Sequence, residues 1–107
     1  MANFLLIYTG GGSVPTDAAE REKVLGRWGA WMGQLGDKFV DAGNPVGHAK
    51  NVSNGGTVHD GSGINPPASG YSILKADSLN AATELAKGCP VLLTGGKVTV
   101  YEITPAM

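Results

Sequence analysis

The stretch Gly70-Tyr71-Ser72-Ile73-Leu74-Lys75-Ala76-Asp77-Ser78-Leu79 decides the fold. Its first seven residues read as a strand. Asp77-Ser78 then supplies side-chain oxygens that can cap a helix running to Lys87. Leu79, Ala82, Leu85 and Ala86 fall inward at helical spacing. Gly88 follows as a C′ residue, and Pro90 prevents the helix from resuming. After the Thr94-Gly95-Gly96 turn, Lys97–Thr104 alternates Val98, Val100 and Glu102 with Thr99, Tyr101 and Ile103, a final strand. The C-terminal third is therefore strand, helix, strand.

The N-terminal third repeats the opening of that pattern. Asn3 to Tyr8 reads as a strand ended by Gly10-Gly11-Gly12-Ser13. Thr16 is placed to cap a helix, with Asp17 and Glu20 bringing negative charge to its positive end. Val24, Trp28, Trp31 and Leu35 form one apolar face, widened by Leu25 and Met32, and predict a helix to about Gly36 with Trp28 and Leu35 in the core. Gly26, Gly29, Gly33 and Gly36 share another side, which either approaches a neighbouring backbone or faces solvent. A short strand follows at Lys38–Asp41.

Between Ala42 and Ser69 large apolar residues nearly vanish. Asn54-Gly55 favours a tight turn, so Lys50–Val52 and Thr57–His59 can pair as a hairpin. Asp60 to Pro67 reads as an irregular loop, and long irregular connections are usually functional or mobile. The whole order predicts a single α+β domain over residues 1–107, a ferredoxin-like split βαβ sheet with two helices on one face. The other face then needs cover, and a second copy of the chain supplies it in a homodimer.

Composition narrows the partners. Eight Lys and Arg against nine Asp and Glu give a net charge of −1, and the basic residues are scattered. That excludes the concentrated basic face that nucleic acid or an anionic membrane requires. The apolar run Phe4–Tyr8 is too short for a signal core or a membrane span. Cys89 stands alone, which suits a reducing, cytoplasmic setting. Charged residues make up 16 % of the chain, against about 25 % in an average domain, which again points to a surface shared between subunits.

Three segments carry a family resemblance: Gly70–Leu79, Leu85-Ala86-Lys87-Gly88-Cys89-Pro90-Val91-Leu92, and Gly95-Gly96-Lys97-Val98-Thr99-Val100-Tyr101-Glu102. Together with Phe4–Tyr8 and the helix holding Trp28, they resemble the YCII-related family. The resemblance implies a dimeric α+β barrel, in which two ferredoxin-like sheets enclose a shared interior, and relatives that act on small aromatic or lactone-like molecules. Two departures matter. Where many relatives carry Asp-Gly-Pro-Phe, this chain reads Gly63-Ile64-Asn65-Pro66-Pro67. Some members pair a first-helix His with an Asp, whereas here Gly26 aligns near that place and the helix holds no His.

His48 and His59 both lie in the irregular middle. A His oriented by a carboxylate is the usual general base near neutral pH. Asp41 can serve His48, since Gly43, Pro45 and Gly47 bend the chain between them, whereas His59 and Asp60 would point to opposite faces of a strand. The alternative is two exposed loop histidines. Tyr8 shares a strand face with Phe4 and Leu6. If it and Tyr71 and Tyr101 face away from the helices, they line a dimer interior suited to a small organic ligand. The expected site is thus a cleft with Tyr8 and Tyr71 in its floor and a wall holding Asp41, Asn44 and His48, with His59 nearby. The glycine loop lacks a phosphate-cradling motif, and two His with one Cys fall short of a metal ligand set, so no cofactor or metal is expected. Two functions remain open: a cofactor-independent lyase or isomerase on a small aromatic or enol compound, or a non-catalytic ligand-binding module.

Overall fold

The computed structural model describes residues 2–10 and 17–104. The first half holds β1 (Ala2–Thr9), α1 (Ala18–Leu35) and β2 (Phe39–Asp41). A hairpin of β3 (Lys50–Val52) and β4 (Val58–Asp60) comes next. The second half is β5 (Ala68–Ala76), α2 (Leu79–Ala86) and β6 (Lys97–Glu102). The main sheet is antiparallel with order β2-β5-β1-β6, and β3–β4 stands apart from it. This is the ferredoxin-like arrangement that the alternating pattern predicts.

Register decides which side chains meet the helices. Phe4, Leu6 and Tyr8 on β1 lie opposite Leu74, Ser72 and Gly70 on β5, and all six are buried. Because side chains alternate along a strand, Leu5 and Ile7 fall on the other face with Ile73 and Tyr71. Trp31 and Leu35 of α1, Ala82 and Ala86 of α2, and Cys89 and Val91 close the core over the first set. The Trp31 indole N–H donates to the Leu85 carbonyl at 3.1 Å and ties one helix to the other. Tyr8, Trp28, Trp31 and Phe39 stack edge to face in a row, with centroids 5.2, 5.9 and 5.4 Å apart. Leu35 is buried as its spacing predicts, while Trp28 packs on the core half-buried.

Several local expectations are corrected. The α1 cap is Asp17, whose carboxylate accepts from the Glu20 N–H at 3.2 Å; Thr16 lies outside the described residues, as do Gly11 to Pro15. Gly88 is not held by a left-handed conformation but by proximity, since a Cβ there would stand 2.9 Å from the Trp31 ring. Leu79, expected inward, is 44 % exposed at the first turn of α2. Among the described residues nothing lies within 4 Å of a Cβ built on Gly26, Gly29, Gly33 or Gly36, so within the chain the glycine stripe is the outer side of α1. The hairpin turn takes in Gly56 as well as Asn54-Gly55, so the second strand starts one residue later than expected.

The sheet face away from the helices is half-bare. Leu5, Ile7, Tyr71 and Ile73 are partly exposed there and Tyr101 is 55 % exposed. The molecule is a slab of 45 × 39 × 19 Å with a radius of gyration of 15.3 Å. A compact chain of this length would have about 13 Å. Its 7275 Å² of surface likewise exceeds the roughly 5,600 Å² expected for a compact monomer of this mass. Among the described residues no helix is long and apolar enough to cross a membrane.

Candidate functional site

The chain after β2 builds one wall of a cleft. Asp41 accepts from the Gly43 N–H at 2.8 Å, a side-chain turn that folds the chain back on itself. Gly43 can follow because its φ is +79°, in the left-handed region. The chain then lies along the edge of β5: the Tyr71 N–H donates to the Asn44 carbonyl at 3.2 Å, and the Val46 N–H to the Ser69 carbonyl at 3.0 Å. Opposite stands the stretch of α1 that the sheet leaves uncovered, with Val24, Leu25, Trp28 and Met32. Leu25 is 62 % exposed, which explains why the apolar stripe of this helix is wider than its core contacts require. Tyr8, Gly70 and Ser72 form the floor, and the cleft holds about 330 Å³, room for a single ring system.

Polar groups meet at that floor. The Tyr8 hydroxyl donates to Ser72 Oγ at 2.7 Å, and the Ser72 hydroxyl donates to the Ala42 carbonyl at 2.6 Å. Burial pushes the Tyr8 phenol up to about 12, with the Ser72 bond opposing, so it is neutral at physiological pH. Burial likewise holds the Cys89 thiol up at about 11 and keeps it inert. Among the described lining residues none carries a charge.

These two groups make stability fall in alkali. Unfolded, they lose their protons near 10 and 9; folded, they hold them to about 12 and 11. Between those limits the unfolded chain binds fewer protons, so stability is full below about pH 9 and drops as pH rises toward 12. Each group contributes on the order of 2–3 kcal/mol to the drop. The melting temperature should therefore decline from pH 9 to 11, and Cys89→Ala should flatten the early part. A curve that stays level to pH 11 would contradict the burial of both groups.

The sequence-predicted site residues divide. Tyr8, Asn44 and Tyr71 line the cleft. Tyr8 and Tyr71 do not share a sheet face, as the expected floor required: register turns Tyr8 toward the helices, whereas Tyr71 and Tyr101 occupy the half-bare side. Asp41 stands at the head of the wall with its carboxylate on the Gly43 N–H. His48 borders a separate depression with Ala49, Lys50, Asp60 and Gly61. His59 is exposed on β4 opposite Asn51. The sequence reading missed Ser72, although a polar residue on the inward face of a buried strand needs a partner and so signals one.

No protein-family model matches the chain, and no curated protein sequence matches it. Among solved structures it is similar to 5-chloro-2-hydroxyhydroquinone dehydrochlorinase (TftG) from Burkholderia phenoliruptrix AC1100, in complex with 2,5-dihydroxybenzoquinone. The two share 16 % identity and a TM-score of 0.55, over 96 % of this chain and 95 % of that one. The likeness establishes a common fold.

Proposed function

We propose that this protein works as a homodimer of the dimeric α+β-barrel type, related to the YCII-like proteins. In this reading it acts without a cofactor, as a lyase or isomerase, on a small neutral aromatic or enol compound held between α1 and β5. One observation carries the reading: a cleft sized for a ring, with aromatic and aliphatic walls and a hydroxyl pair in its floor. A dehydrochlorinase of the same fold, bound to a dihydroxybenzoquinone, adds support. His48 continues the loop that walls the cleft but borders a separate depression, so in this proposal it serves as general base, oriented by Asp41, once that loop carries it to the cleft mouth. His59, exposed on β4, is the other polar side chain that this proposal assigns to the ligand.

The experiment is a phenol and lactone panel, with binding followed by native mass spectrometry and Trp28 fluorescence, and turnover measured in parallel. His48→Ala should lower turnover by about a hundred-fold or more while leaving affinity within about two-fold. Unchanged turnover in that variant would move the chemistry elsewhere. A second reading, a non-catalytic binding module, is favoured by a specific observation: Asp41 is already committed to the Gly43 N–H, and no described lining residue is ionised. Binding without turnover across the panel would select it.

The dimer is supported by the half-bare sheet face and the slab shape. Sedimentation at micromolar concentration should give a dimer, and Ile73→Glu, in the middle of that face, should split it. A wild-type monomer at that concentration would end this part of the proposal.

A further inference from the structure

The hydroxyls and the carbonyl at the foot of the cleft admit only one arrangement of hydrogens. The Ala42 carbonyl can only accept, so Ser72, 2.6 Å away, gives it the single hydrogen it has. Ser72 then has none for Tyr8, and the 2.7 Å bond between them is made by the Tyr8 O–H. Both hydrogens are thereby committed within the protein. Tyr8 Oη keeps its lone pairs, and among the described residues no donor occupies them.

The arrangement is locked by packing. Ser72 is fully buried, and Gly70 leaves the space in which the Tyr8 ring lies over β5, since a Cβ there would stand 3.4 Å from Tyr8 Cδ2 and 3.3 Å from the Asn44 carbonyl. Tyr8, Ser72 and Ala42 all line the cleft.

We propose that this relay turns the cleft floor into a hydrogen-bond acceptor that sets specificity: the site selects a neutral phenol or enol in its protonated form, against the matching ether, quinone or anion. The inference rests on the cleft being the ligand site, as proposed above. A ligand hydroxyl donates to Tyr8 Oη. A ligand ether or carbonyl oxygen would meet the same lone pairs with no hydrogen between them, a buried mismatch. An anion would meet them too, in a cleft whose described lining offers no cation. Asn44, at the exposed rim, carries both donor and acceptor and does not discriminate. Ser72 is a positioning residue, since it acts on the ligand only through Tyr8.

The test is calorimetric titration of the whole protein with 2-naphthol and 2-methoxynaphthalene. The wild type should prefer the naphthol by about ten-fold or more, the size of one buried hydrogen bond gained against one mismatched. Ser72→Ala frees the Tyr8 hydrogen to turn to the ligand, so ether binding should strengthen and the preference fall to about two-fold. Tyr8→Phe should also erase the preference, but chiefly by weakening naphthol binding, since the oxygen that accepts the naphthol hydrogen is gone. Losing the same preference from opposite directions is a signature that a merely structural role would not give. Circular dichroism confirms that both variants fold. Equal wild-type affinities, or a preference that survives Ser72→Ala, would overturn the relay and leave the cleft standing. Failure of both naphthalenes to bind would overturn the cleft reading and this inference together.

Discussion

Replacing Trp31 with alanine should remove about 4–5 kcal/mol of stability and lower the melting temperature by roughly 20 °C. Trp31 is 4 % exposed and sits between the Trp28 and Phe39 rings. Its indole N–H donates to the Leu85 carbonyl, so truncation gives up that bond, leaving the carbonyl the Gly88 N–H at 3.4 Å alone, and opens a void as well. The void cannot easily collapse, because one wall is the backbone of Gly88, already pressed against the indole. Trp28 is only half-buried and lines the cleft, so Trp28→Ala should cost about half as much. Urea titration of both variants checks the order. A Trp31→Ala protein within about 1 kcal/mol of wild type would mean the helices are not joined through this residue.

Both halves of the fold were legible because each announces itself twice, by periodicity and by punctuation. Val24, Trp28, Trp31 and Leu35 repeat at the helical period, and the Ser78 cap and Pro90 stop frame α2. The site was legible only in part. Period two correctly grouped Tyr8 with Phe4 and Leu6, but it does not say which side of the sheet a group takes. The answer lay on the neighbouring strand. Gly70, Ser72, Leu74 and Ala76 are mostly small and make room for a helical layer, whereas Tyr71 and Ile73 do not. The path of Ala42 to Val46 was hidden for a different reason. It is fixed by backbone hydrogen bonds to β5, not by apolar anchors, and composition carries no trace of them. That is why Asn44 meets the cleft while His48, four residues on, borders a different depression.

Gly43 is where that hidden path is decided, and Gly43→Ala should abolish ligand binding in the cleft and destabilise the fold by about 3 kcal/mol or more. Two effects add. A side chain at φ +79° costs roughly 1–2 kcal/mol by itself. The new Cβ would also overlap the Tyr71 carbonyl oxygen, a backbone atom of an interior strand that cannot step aside. Relief requires the segment from Ala42 to Val46 to lift from β5. That gives up the Asp41 turn, the Asn44 and Ser69 backbone bonds, and the Ala42 carbonyl that orients Ser72. Gly55 provides the control, because its φ is +86° but nothing lies within 4 Å of a Cβ built there. Gly55→Ala should show the conformational cost alone, about 1 kcal/mol, with ligand binding intact. Chemical denaturation and naphthol titration of the two variants separate the effects. If Gly43→Ala matched Gly55→Ala in both measurements, the wall could move freely, and the cleft would not be the rigid site on which Tyr8 and Ser72 depend.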